Sequence, residues 1–196
     1  MEKPAKKQRI IIGISGASGA IYGVRLLELL KDTEIETHLV ISRAAQITIA
    51  HELRRKIAGV TALADVVYGA EDIAAAISSG SFKTLGMIMA PCSMRSLGEI
   101  SSGVTTSLLT RAADVVLKER RRLVLMVRES PLHLGHLKSM VAATEMGAII
   151  CPPVPAFYAQ PKSVDDIVDH TVGRALDLFD IELGIVKRWK SLDGEN

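Results

Sequence analysis

Four glycines fall within eleven residues, GISGASGAIYG from Gly13 to Gly23, directly after the apolar run Ile10-Ile11-Ile12. Ser15 and Ser18 stand between them. A glycine-rich turn that leaves a strand and opens a helix exposes backbone N–H groups at the positive end of the helix dipole, which suits a phosphate. A dinucleotide site would need GxGxxG and an acid at the end of the second strand. Here the spacing is GxxGxxG, and the second strand ends on Ser42 and Arg43. A triphosphate loop would need GxxxxGK followed by Ser or Thr, and no such pair follows Gly19. Two readings stand. The loop holds some other phosphate or polar ligand, with Ser15 and Ser18 as hydroxyl donors, or it is a tight turn whose glycines permit close packing.

Four further stretches carry chemistry. APCSMRSLGEISSG (Ala90–Gly103) leaves a strand through Pro91 into a Ser-rich turn. There Ser93 and Ser96 offer hydroxyls and Arg95 a cation, and either serine also suits a helix N-cap. RAADVVLKERRRLVLMVRESP sets Arg111 and Lys118 two helical turns apart on one face, then delivers Arg128 and Glu129 at a strand end. An Arg-Glu pair there is either structural or part of a site. PPVPAFYAQP presents Phe157 and Tyr158 on a proline-bounded loop, in a chain with only 4% aromatic residues. That pair is either a ligand contact or a clamp onto the core. SVDDIVDH contains Asp165, Asp166 and Asp169 in a DDxxD pattern known from magnesium-dependent prenyl diphosphate enzymes. Ser163 is a good N-cap and first-turn acids suit the helix dipole, so the pattern reads as a helix start with no metal. The five histidines show no metal-ligand spacing. His133 and His136 read as flanking a helix start.

Strand and helix patterns alternate along the chain. Strands are expected at Arg9–Ser15, Thr37–Ile41, Leu85–Ala90 (ended by Pro91), Leu123–Val127 and Ala148–Cys151. Helices are expected at Ala20–Lys31, Ala44–Arg55, Ala70–Ile77, Ser107–Lys118 and His136–Met146, with a long final helix from about Val164 to Trp189. The stretch Thr61–Gly69 is ambiguous. This order implies βαβ units: a Rossmann-like or flavodoxin-like, three-layer α/β fold with a doubly wound parallel sheet. Ligands of such sheets lie beyond the carboxyl ends of the strands. The segments to inspect are therefore Ser15–Gly19, Ser42-Arg43, Pro91–Leu97, Arg128–Pro131 and Pro152–Tyr158.

The 196 residues suit a single domain over 1–196, with residues 1–8 as a polar N-terminal extension rather than a signal peptide. Apolar residues make up 48% and charged residues 23%, as in ordinary globular proteins. The net charge of +2 is too small to point to nucleic acid. Lys118-Glu119-Arg120-Arg121-Arg122 reads as a basic helix end. No apolar stretch reaches the ~18 residues of a membrane span. Two cysteines without CxxC spacing, Cys92 and Cys151, read as free thiols of a cytoplasmic protein.

Taken in order, GISGASGAIYG, ETHLVISRAA, ISSGSF, PCSMRSL, LLTRAADVVLKERR, LVLMVRESPL, PPVPAFY and the closing RW resemble the UbiX-type flavin prenyltransferases. The resemblance runs from about Arg9 to Trp189, nearly the whole chain. It implies an enzyme that binds reduced FMN and dimethylallyl phosphate and joins the dimethylallyl group to flavin N5 and C6. The product, prenylated FMN, serves a UbiD-type decarboxylase. The resemblance also implies a homododecamer and no metal.

Matched by motif, the flavin site would comprise Gly16, Ala17, Ser18, Ser42, Ser93, Met94, Arg95, Ser96 and Arg128. The allylic phosphate would meet Arg111, Lys118, Tyr158 and Arg174. Ser18, Glu52, Lys118 and Glu129 would act in catalysis, with Glu129 or the departing phosphate as the base and Ser18 a proton relay or orienter. Fixed cations and a phenol suit a departing phosphate. Two departures are visible. Ser96 stands where members often carry Thr, keeping the hydroxyl, and Glu99 lies in a region that is often neutral, with no mechanistic use. The rivals are an FMN-dependent decarboxylase of the cysteine-decarboxylating kind and a non-catalytic flavin carrier. The decarboxylases typically carry PASANT-like and PxMNxxMW segments. Here the turn is PCSMRS and the second segment is missing.

Overall fold

A computed structural model describes residues 8–189. Most of the expected N-terminal extension, residues 1–7, lies outside the described residues. Gln8, its last residue, already belongs to the first strand.

Six strands form one all-parallel sheet: β1 (Gln8–Ile14), β2 (Ile35–Ile41), β3 (Val66–Tyr68), β4 (Gly86–Cys92), β5 (Arg122–Val127) and β6 (Ala148–Ile150). Their spatial order is β3-β2-β1-β4-β5-β6. The run QRIIIGI shows why β1 is central. Ile10, Ile12 and Ile14 point to one face and join one buried cluster, while Ile11 points to the other and joins a second. A strand apolar on both faces has to be covered on both. One face is covered by α1 (Ala20–Leu30), α2 (Arg43–Leu53) and α7 (Val164–Asp177). The other is covered by α4 (Met94–Ser102), α5 (Leu108–Lys118) and α6 (Leu134–Glu145). A short α3 (Ile57–Thr61) precedes β3. The result is the three-layer, doubly wound α/β fold expected from the sequence. The strand order reverses between β1 and β4, so the loops after these two strands flank the crevice where such sheets bind ligands.

Four elements differ from the sequence expectation. β4 does not end at Pro91 but continues to Cys92, through a cis Ala90–Pro91 bond and a register shift. Residues 70–77 are not a helix but turns ending in a short 3-10 segment at Ala76–Ser78. The Ala70 carbonyl there accepts from the Leu108 amide, across the fold, instead of from its own next turn. The ambiguous stretch resolves into the end of α3 and β3. Lastly, α7 stops at Asp177, twelve residues before Trp189. Asp180 takes a left-handed φ of 59°, and the chain folds back so that Ile185 and Val186 lie over Gly173. The apolar residues of 178–186 read as helical spacing because they cover α7, not because they extend it.

Candidate active site

The glycine loop is built for close approach. Gly19, the N-cap of α1, has a φ of 102°, a conformation open to glycine at little cost. A β-carbon at Gly23 would collide with the Ala90 carbonyl, so α1 packs directly on the end of β4. Ser15, 1% exposed, ties the two central strand ends together. Its hydroxyl donates to the Pro91 carbonyl at 2.7 Å and accepts from the Ser93 amide at 2.7 Å. Ser15→Ala would leave the Ser93 amide without that partner. A loss of about 1–3 kcal/mol is expected, read as a melting temperature lower by about 3–10 °C. An unchanged melt would show that the latch contributes nothing.

Two amides at the start of α1 are already engaged by a side chain. Gly19 N–H and Ala20 N–H donate to Glu52 Oε2 at 2.9 and 3.3 Å, and the Ser18 hydroxyl also bonds this carboxylate. Burial alone would raise the Glu52 pKa. The Ser18, Gly19 and Ala20 donors and the charge of Arg128 outweigh it and hold the carboxyl below its ordinary value. Arg128 leaves β5 with its amide bonded to the Cys92 carbonyl at 3.1 Å. Its charge also acts on Tyr22, whose phenol is raised by burial and pulled back by Arg128. Ser18, Glu52, Tyr22 and Arg128 therefore form one cluster beside the β1–β4 crevice.

A cavity lies next to this cluster, with Gly16 of the loop in its wall. Three helices begin around this cavity of about 420 Å³. Ser42 caps α2 by accepting from Ala45 N at 3.1 Å, and Ser93 caps α4 by accepting from Ser96 N at 3.3 Å. Ser107 is the N-cap residue of α5. Ser42, Arg43, Ser93, Arg95, Ser96, Ser107 and Thr110 line the cavity with Gly16 of the loop. Three convergent positive helix ends, hydroxyls and two arginines suit a phosphate. Of the residues named from sequence motifs, the cavity brings together Gly16, Ser42, Ser93, Arg95 and Ser96, with Arg43 from an inspected strand end. It adds Ser107 and Thr110, for which a serine ahead of an apolar helical run was the only signal.

The remaining motif residues do not line this cavity. Lys118 ends α5 and pairs with Glu119 at 2.6 Å, beside Gly80. It is ten residues from Leu108, about 15 Å along the helix and away from the cavity. Arg111 pairs with Asp114 at 2.6 Å. Tyr158 packs edge-on against His170 and Trp189, with its hydroxyl 3.4 Å from His170 Nε2. Arg174 pairs with Asp177 at 2.6 Å, which also holds Arg188. Glu129 is exposed, with Oε1 accepting from the Ser130 amide. Met94 and Ala17 are partly buried.

Other motifs resolve into structure. Ser163 and Asp166 form a capping box on α7, and Asp169 takes a two-pronged bond from Arg25 at 2.6 and 3.1 Å. The DDxxD acids thus cap and pin helices. Arg25, Asp169, Glu28 and Arg55 zip the rim of a second cavity, about 470 Å³, between α1, the end of α2 and α7. His133 caps α6 through Nδ1. Both cysteines are free, and burial pushes the Cys92 thiol up to about 12. No helix among the described residues is long and apolar enough to cross a membrane.

This arrangement of residues has close relatives. The Flavoprotein family model matches residues 1–176. Flavin prenyltransferase UbiX of Escherichia coli K12 is 60% identical over 186 residues, covering 93% of this chain and 98% of the relative. Among solved structures, AnUbiX (PadA1) in complex with FMN and dimethylallyl pyrophosphate superposes with a TM-score of 0.93 at 48% identity. That match covers 95% of this chain and all of the other. A dodecameric FMN-dependent UbiX-like decarboxylase from E. coli O157:H7 gives 0.92 at 49%, over 94% and 100%. With identity this high over nearly its full length, the chain belongs to the UbiX flavin prenyltransferase family of flavoproteins.

Proposed function

We propose that this protein is a metal-independent flavin prenyltransferase. It joins the dimethylallyl group of dimethylallyl phosphate to N5 and C6 of reduced FMN, and so supplies prenylated FMN to a UbiD-type decarboxylase. The observation that carries the reading is the pairing of two sites at the β1–β4 switch point. A cavity at three helix starts, suited to a phosphate, adjoins a Ser18–Glu52–Arg128 cluster of opposite charges. The flavin phosphate fits the cavity, where Ser42, Ser93, Ser96, Arg43 and Arg95 would hold it. Reduced FMN supplies the electron-rich N5 and C6 that bond to the prenyl carbons.

The chain's own residues then have to stabilise a departing phosphate and remove a proton. Arg128 follows the carboxyl end of β5, its amide held by the Cys92 carbonyl, and its charge would stabilise negative charge as it develops. Ser18 donates to a carboxylate held ionised, which fixes its hydroxyl direction. Glu129, exposed next to Arg128, is placed to accept a proton during ring closure. Tyr158, held between His170 and Trp189, offers a phenol donor, with Arg174 on the helix below. Lys118 and Arg111 lie on the outer side of one chain. In a homododecamer they serve the site of a neighbouring copy. The protein works in the cytoplasm, where reduced flavin and free thiols persist.

The test is direct. Purified protein with reduced FMN and dimethylallyl phosphate, in a chelating buffer, is expected to raise the flavin mass by one prenyl unit. Carbon dioxide release from an aromatic or cysteine-terminated acid by this protein alone, with no change in flavin mass, would overturn the reading. Tight FMN binding with neither reaction would leave a carrier.

A further inference from the structure

Glu99 is the most heavily bonded side chain on the phosphate cavity, and the mechanism above does not use it. It sits on α4 with its side chain 13% exposed. Oε2 accepts from the hydroxyls of Thr106 at 2.8 Å and Thr110 at 2.9 Å, and Oε1 accepts from Arg95 Nε at 3.0 Å. Burial alone would raise its pKa, but the Thr106, Thr110 and Arg95 donors hold it below the ordinary value. Arg95, in contrast, is 81% exposed and has no packing of its own to fix it. Both residues line the cavity.

We infer that Glu99 is a positioning residue for Arg95 and through it favours phosphate-bearing flavin over flavin without phosphate. The inference rests on the flavin reading above. By engaging Nε, the carboxylate leaves both terminal nitrogens of the guanidinium for an anion. The Thr106 and Thr110 bonds anchor Glu99 to the start of α5, so the arginine is tethered to two helices rather than swinging from one. An exposed arginine loses rotamer freedom on binding, and one already held loses less. The opposing effect is repulsion between Glu99 and a bound phosphate. The hydroxyl donors and Arg95 draw off part of that charge, and the inference is that preorganisation wins.

The test is equilibrium binding of FMN and of riboflavin to intact wild-type protein and to Glu99→Gln, Arg95→Ala and the double variant. Glu99→Gln is expected to raise the FMN dissociation constant by about 2- to 12-fold, the immobilisation cost of one long side chain. Riboflavin affinity should stay unchanged. In the Arg95→Ala background, Glu99→Gln should no longer weaken FMN binding, and lifting the Glu99 repulsion should leave it equal or slightly tighter. A merely structural role would weaken both flavins and persist without Arg95, and either result overturns the proposal. Unchanged or tighter FMN binding by Glu99→Gln alone does the same. If Glu99→Gln misfolds, Thr106→Val with Thr110→Val loosens the same anchor, and the same FMN-specific loss is required. Wild-type protein that prenylates FMN while Glu99→Gln binds it normally leaves the function standing and removes only this inference. Wild type that binds no flavin overturns both.

Discussion

Lys118→Met is expected to slow flavin prenylation by about 10²- to 10³-fold, the usual scale for removing one preorganised charge from a developing anion. The fold should survive, because Lys118 contributes little to it. Its side chain is 46% exposed, and among the described residues it pairs with the adjacent Glu119. An exposed pair of this kind adds little to stability. A large rate loss with an unchanged melting temperature would therefore be a chemical effect.

The position of Lys118 sharpens this expectation. α5 starts at the 420 Å³ cavity and ends at Lys118, near the amino end of β5, so the proposed role of the lysine is at the site of a neighbouring copy. Mixing Lys118→Met subunits with Ser18→Ala subunits, after dissociation and reassembly, should restore activity that neither has alone. Random assortment in a symmetric assembly gives about a quarter of sites with both intact partners. No recovery on mixing, in assemblies that demonstrably exchanged subunits, would refute the shared site. Full activity of Lys118→Met alone would remove the residue from the mechanism.

The parts legible in the sequence were those with local causes. β1 announced itself as Ile10-Ile11-Ile12 because both its faces are buried, and α7 began where Ser163 and Asp166 close a capping box. The end of α7 was not legible, because Ile185 and Val186 pack back over Gly173 and their spacing mimics another helical turn. The site divides in the same way. Ser93 and Arg95 stand out within one short motif. The partnership of Glu52 with Gly19 and Ala20 spans 33 and 32 residues and exists only once α1 and α2 are packed together. Glu99 looked idle because its partners, Thr106 and Thr110, come from the next helix start.

Glu52→Gln is the second substitution with a large expected effect, and it acts on stability and turnover together. The carboxylate caps α1 by accepting from Gly19 N–H and Ala20 N–H. An amide can keep its one carbonyl oxygen on both N–H groups, but it removes the charge that strengthens those bonds. The side chain is exposed and its charge is screened, so the loss falls at the low end for a cap, about 1 kcal/mol. That lowers the melting temperature by about 2–4 °C. The pH dependence has a definite sign. Glu52 is held below its ordinary pKa in the fold, so its contribution is complete above the unfolded value of about 4.3 and is lost as pH falls through the lower folded value. Wild type should therefore lose melting temperature in acid more steeply than Glu52→Gln, and the two curves should converge at low pH. Turnover should fall about 10²-fold at neutral pH. The ionised carboxylate fixes the Ser18 hydroxyl and balances Arg128, and a neutral amide does neither. Parallel acid curves would show that Glu52 carries no differential charge stabilisation. Unchanged turnover would confine it to capping α1, and the work of orienting Ser18 would then fall to Arg128 and the bound flavin.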